Sequence, residues 1–123
     1  MKKYHGSSEE TGAFLSKAVE VNGLVYLSGQ VHADADLSLH GETIEDKFLY
    51  TMERIEENLA QANLTKDDII RLQIYIVDIA ELPALNAEYA KYFNHPMPAR
   101  TAVSVKALPL GADLEIDVIA ARE

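Results

Sequence analysis

Apolar and polar positions along this chain follow two rhythms, one of strands and one of helices. Residues 13–21 and 24–30 form two β-like runs separated by Asn22-Gly23. That dipeptide suits the two consecutive positive-φ positions of a type I′ turn, so the pattern predicts a hairpin. Residues 32–41 carry Asp, Ser, His and Gly without strong periodicity and read as a loop with room for a short third strand. Ile44, Phe48, Met52, Ile55, Leu59 and Ala62 then recur at steps of four and three, with Glu45, Glu53, Glu56 and Glu57 off that stripe. This is an amphipathic helix. Thr43 with Asp46 resembles a capping box, and Asn63 suits the exit. Residues 69–77 predict a strand with Ile70, Leu72, Ile74 and Ile76 on one side. Its other side holds Ile69, Arg71, Gln73, Tyr75 and Val77. A second helix is expected over about 82–93, with Pro83 in its first turn and Leu82, Leu85, Tyr89 and Tyr92 on one face. Strands at 99–106 and 114–121 follow, joined by the breaker-rich stretch 108–113. The order β-β-α-β-α-β-β predicts one α+β domain spanning 1–123, with both helices on one face of the sheet and a loose polar segment at 1–12.

Several strands are apolar on both sides. Leu15, Val19 and Val21 oppose Phe14 and Ala18; Val25 and Leu27 oppose Leu24 and Tyr26; Leu114, Ile116 and Val118 oppose Ile119 and Ala121. Two helices cover only one face of such a sheet, and the other would stay wet, unlike the polar outer face usual for antiparallel sheets. Burial in an oligomer is the simplest remedy; cover by longer loops is the alternative.

Charge narrows the function. Eleven Lys and Arg against twenty Asp and Glu give a net charge of -9 in 123 residues. A nucleic-acid binder needs concentrated cations, and docking on an anionic membrane needs them too. With 48% hydrophobic and 25% charged residues the chain is globular in composition. There is no cysteine, so disulfides, thiolate nucleophiles and Cys-ligated metals are excluded. The N-terminus has no apolar core of a signal peptide and no run approaches a membrane span, so a cytoplasmic protein is expected.

Most polar motifs are bland. His5, His32, His40 and His95 lack metal-ligand spacing and read as surface or loop histidines, so no metal is expected. Ser28-Gly29-Gln30 is not a nucleophile elbow, and no phosphate-binding glycine loop occurs. The block Pro98-Ala99-Arg100-Thr101-Ala102-Val103 differs, because it sets an arginine at the start of an apolar strand. Leu114-Glu115-Ile116 sets a carboxylate inside another. Charges embedded in apolar strands are costly unless paired or used, so an Arg100–Glu115 structural ion pair and a functional site both remain open.

In order along the chain stand Val25-Tyr26-Leu27-Ser28-Gly29-Gln30, Asn58-Leu59, Ile74-Tyr75-Ile76-Val77-Asp78, Asn86-Ala87-Glu88-Tyr89 and the Arg100 and Glu115 blocks. This ordered set, spread over about residues 12–122, resembles the Rid family, the reactive-intermediate deaminases also called YjgF-like proteins. The resemblance implies a chorismate-mutase-like fold and a homotrimer whose sheets form a central barrel, with sites between subunits. It implies cofactor-free hydrolysis of 2-imino and 2-enamino acids such as 2-aminoacrylate to 2-oxo acids and ammonia. By the same match Arg100 would hold the substrate carboxylate and Glu115 would position the attacking water. Ser28, Gly29 and Asn86 would line the pocket, together with Phe14, or Leu15 by a one-residue ambiguity, and Ala102. The usual tyrosine of the first strand and the usual cysteine two residues after the arginine are replaced here by Phe14 (or Leu15) and Ala102, which implies a more apolar pocket.

Three functions compete. One is the imine hydrolase. Another is a non-catalytic or regulatory protein binding a 2-oxo acid in the same pocket, which needs Arg100 but not Glu115 as a base. An RNA-cleaving activity, reported for some relatives, sits badly with the net charge of -9.

Overall fold

In the computed structural model, which describes residues 1–123, one mixed sheet carries two long helices on a single face. The strands are β1 (Lys3–His5), β2 (Ala18–Val21), β3 (Leu24–Leu27), β4 (Gln30–Val31), β5 (Ile69–Ile76), β6 (Ala99–Ser104) and β7 (Leu114–Ala121). The helices are α1 (Ser8–Thr11), α2 (Ile44–Gln61) and α3 (Leu82–Tyr92). The strand order is β1-β2-β3-β7-β5-β6, with β4 also pairing β7. Only β5 and β6 run parallel, and α3 is the crossover that a parallel pair requires. No helix is long and apolar enough to cross a membrane.

Local chemistry explains the elements. Asn22 (φ 52) and Gly23 (φ 79) make the hairpin turn between β2 and β3 as predicted. Thr43 Oγ1 accepts the Asp46 N–H at 3.1 Å and starts α2, and Asn63 leaves it at φ 59. A full capping box forms at Thr65 and Asp68, just before β5. The stripe Phe48, Met52, Ile55 and Leu59 is wholly buried against Val25, Leu72, Ile74, Ile76, Ile116 and Val118, and Leu85 and Tyr89 of α3 join the same core.

Four expectations need correction. The segment 1–12 is not simply loose: β1 pairs with β2, and Ser7 caps the single turn of α1. The first hairpin strand begins only at Ala18, because Thr11 Oγ1 exchanges hydrogen bonds with Leu15 O and Ala13 N–H and folds 11–15 into a loop. An irregularity between Ile69 and Arg71 turns Ile70 outward (45% exposed), so Ile69 takes its place in the core. The loop 32–41 holds only a bridge between Ala33 and Leu39, and His32 is buried within it. His32 Nδ1–H donates to His40 O at 2.8 Å, and its Nε2 accepts the Asp113 N–H at 3.0 Å. It is a strut between two loops, not a surface residue.

Register places the rest. Val25 faces the helices, whereas Leu24, Tyr26, Val19, Val21, Ile119 and Ala121 share the helix-free face with Gln73, Tyr75, Glu115 and Asp117. That face is broad and uncovered within one chain; it is apolar across β2, β3 and the end of β7 and polar toward β5, where Arg71 joins Gln73, Glu115 and Asp117.

At the sheet's edge, Arg122 donates to both oxygens of Glu20 at 2.9 and 3.0 Å and to Ala62 O, where α2 ends, at 2.8 Å. Hydrogen bonds from Arg122 and then His5 hold the Glu20 carboxyl down from 4.5 to about 2. A depressed carboxyl stabilises the fold above its ordinary pKa, and that contribution fades as pH falls from 4.5 toward 2. Arg122→Ala should therefore move the acid-unfolding midpoint upward. Circular dichroism across that acid range checks it, and an unmoved midpoint would show the pair to be idle.

Candidate functional site

Four residues separate Val25 from Gln30, but only three separate their partners Ala120 and Ile116 on β7. The extra residue makes a bulge at Ser28-Gly29, a device that bends a strand and re-aims its groups. Ser28 N–H donates to Lys17 O at 3.0 Å and its hydroxyl to Ser16 O at 2.6 Å, which pins the 13–17 loop beside the bulge. A Cβ on Gly29 would lie 2.5 Å from Glu115 Oε2, so only glycine lets this carboxylate rest against the backbone. Ser28, Gly29 and Glu115 line a cleft of about 450 Å³ with Leu15, Leu37 and Leu110. Burial, and then the charge of Asp117, push the Glu115 carboxyl above its ordinary value. A raised carboxyl is a stronger base once ionised. Gly29→Ala should displace that carboxylate, the movable end of a side chain, and lower turnover at least tenfold with little loss of melting temperature. A variant with full turnover would detach Gly29 from the site.

Arg100 is built differently. It stands on the edge strand β6 opposite Leu72, hence on the helix side of the sheet. Its Nη2 donates to Asn86 Oδ1 of α3 at 2.7 Å, and its guanidinium carbon lies 4.7 Å from the Tyr89 ring centroid. Tyr89 is buried between Phe48 and Phe93, so the platform under the arginine is rigid, and its own hydroxyl has no hydrogen-bond partner. Ala102 follows on the same face of β6, half-buried against the core.

The expected site residues thus fall into two groups. Ser28, Gly29 and Glu115 meet at one cleft; Arg100, Asn86 and Ala102 meet at the β6 edge. Glu115 pairs with Tyr75 on the helix-free face, so Arg100 and Glu115 lie on opposite faces of the sheet. No ion pair joins them, which removes the structural pairing that the sequence left open. Phe14 belongs to neither group: the 11–15 loop throws it wholly into solvent, and Leu15 lines the cleft in its stead. Tyr89 was legible only as a core residue, because its aromatic ring sits on the apolar stripe of α3. Leu37 and Leu110 gave no signal, lying in segments that read as plain loop. Nowhere do three His, Asp or Glu side chains gather as a metal site would require.

This helix-covered α+β sheet is shared with solved structures of YjgF-type proteins. The chain belongs to that family, the Rid family: it matches the model described as "Endoribonuclease L-PSP" over residues 7–122. It is 39% identical over 115 residues to "Protein HMF1" of Saccharomyces cerevisiae, covering 94% of this chain and 89% of that protein. It is 34% identical to "Reactive Intermediate Deaminase A, chloroplastic" of Arabidopsis thaliana, over 98% of this chain and 66% of that one. Among solved structures, the Rid-family protein YyfA of Yersinia pestis superposes with a TM-score of 0.86 at 36% identity, covering 98% of this chain and 99% of that chain.

Proposed function

We propose that this protein hydrolyses reactive 2-imino and 2-enamino acids to 2-oxo acids and ammonia, in sites completed by two copies of the chain within a homotrimer. The observation that carries the reading is the division of the site. Arg100 and Glu115 lie on opposite faces of one sheet, and the face bearing Glu115 is uncovered and apolar across β2 and β3. Packing that face against a second copy buries it and can bring one copy's cleft to the other's β6 edge. The naming of a plant relative as a reactive intermediate deaminase supports the chemistry.

The residues suit each step. The guanidinium of Arg100 presents two parallel N–H donors to a substrate carboxylate, and Asn86 and Tyr89 hold its plane in place. An enamine first becomes the imine by gaining a proton at C3 and losing one from nitrogen. Water then adds to the imine carbon while Glu115 takes its proton, and the C=N π pair moves to nitrogen, which receives that proton from Glu115 and gives the carbinolamine. Glu115 next carries the hydroxyl proton to the amine, the C–N bond breaks as C=O forms, and ammonia leaves the 2-oxo acid. The chain's own groups carry every proton transfer, and no cofactor enters.

A coupled assay tests this reading. An amino-acid oxidase supplies the imine, and 2-oxo acid release should exceed the spontaneous rate. Release at the spontaneous rate for small, branched and aromatic imines alike, with 2-oxo acid binding retained, would favour the binding-protein reading instead. Light scattering should give about three times the 13.6 kDa chain mass, and a monomer would remove the two-copy site.

A further inference from the structure

Four residues other than glycine adopt a positive φ: Asn22, Leu37, Asn63 and Leu110. Asparagine tolerates this region, and its two instances serve a hairpin and a helix exit. Leucine does not, since its Cβ crowds the backbone there. Both leucines, at φ 65 and φ 64, nevertheless line one cleft, the one that holds Ser28, Gly29 and Glu115. They reach it from separate loops, Leu37 from the stretch after β4 and Leu110 from the turn before β7. Glycine or asparagine would make either turn with less strain. Backbone strain that persists at a site points to what the side chain does there.

The side chains are also unusually free. Leu37 is 66% exposed, and Leu110 and Leu15 are 47% exposed each. Three loosely covered leucines therefore stand around a polar group made by Glu115, Ser28, the bare backbone of Gly29 and Gln30, with Asp34 also on the wall and already engaged by His40. A cleft of about 450 Å³ falls within the roughly 300–1,000 Å³ of sites that enclose sizeable ligands. It is far roomier than the one-carbon side chain of 2-aminoacrylate needs.

We infer that Leu15, Leu37 and Leu110 form an apolar collar that selects 2-imino acids with extended aliphatic side chains, of the size of leucine or methionine, over the smallest ones. This rests on the hydrolase reading for turnover, but the selection itself also governs binding of the product 2-oxo acids. The carboxylate end is held by charge, the reacting carbon faces Glu115, and the remaining side chain must lie against the leucines. Each methylene received by an apolar pocket favours the longer substrate by roughly tenfold or more.

The test compares pyruvate with 4-methyl-2-oxopentanoate in binding, and alanine-derived with leucine-derived imine in turnover. Wild type should prefer the longer member of each pair at least tenfold. Leu37→Asn and Leu110→Asn keep a residue at ease with positive φ, so both should melt no earlier than wild type. Each should lower kcat/KM for the leucine-derived imine roughly tenfold more than for the alanine-derived one. Equal affinity of wild type for the two 2-oxo acids would overturn the collar while leaving the hydrolase intact. Preferential binding of the longer acid without turnover of any imine would overturn the hydrolase and leave the collar standing. Variants that change the assembly's mass but keep the preference would show that the leucines cover a neighbouring copy, and would overturn the inference.

Discussion

Arg100→Ala should abolish recognition of the substrate carboxylate while leaving the fold nearly as stable as wild type. The arginine lies at an edge strand, holds one hydrogen bond to exposed Asn86, and stacks on Tyr89. An exposed stacking contact of this kind contributes about 0.5–1 kcal/mol, so melting should shift by only a few degrees. Two charge-assisted bonds to a carboxylate are worth ~1.5–3 kcal/mol each, so 2-oxo acid affinity should fall roughly a hundredfold or more. Arg100→Lys keeps the charge but not the planar fork, and should fall between the two. Had Arg100 been the internal partner of Glu115, its removal would strand a carboxylate and cost several kcal/mol. Thermal melting and ligand titration on the same variant separate these outcomes. Early melting with unchanged affinity would refute the assigned role.

Glu115→Gln should move activity and stability in opposite directions. Glutamine keeps the shape and can hold a water, but it cannot accept a proton, and losing a general base typically costs ~10²–10⁴-fold in rate. The carboxyl is raised by burial and by Asp117 beside it. A raised carboxyl means the charged form is disfavoured in the folded state, so its contribution to stability improves as pH falls through the folded pKa and worsens above it. A neutral side chain relieves that penalty, and the variant should melt later than wild type at neutral pH. Such a gain would mark Glu115 as a residue kept for chemistry at the expense of the fold. Full turnover in the variant, or a large fall in melting temperature, would make it structural.

Much of the fold could be read from the chain because its signals were local. Asn22-Gly23 specifies its own turn, and the α2 stripe from Ile44 to Ala62 specifies its own buried face. The apolar residues on both faces of β2, β3 and β7 showed that one sheet face lacks cover. The features that no local pattern encodes depend on register and on long-range contact. A single irregular residue exchanged Ile69 for Ile70, and no periodic pattern records a bulge in advance. The pairing of β1 with β2 depends on contacts with residues 18–20, far along the chain. The site shows the same limit. Arg100, Glu115, Ser28 and Gly29 stood out by type and family pattern, but the faces on which they lie are set by alternation through β5, β6 and β7. Phe14 was the plausible aromatic, and only the Thr11-capped loop shows that Leu15 takes the cleft.

The division of the site between two chains can be measured by mixing two inactive variants. Arg100→Ala retains Glu115, and Glu115→Gln retains Arg100, so each lacks what the other keeps. Co-refolded in equal amounts, random assembly should pair an intact Glu115 cleft with an intact Arg100 edge at about a quarter of the subunit contacts. Imine hydrolysis should then return to about a quarter of the wild-type rate, far above the sum of the two parents. A mixed assembly, verified by differently tagged chains, that stays as inactive as its parents would place the whole site within one chain and contradict the two-copy mechanism.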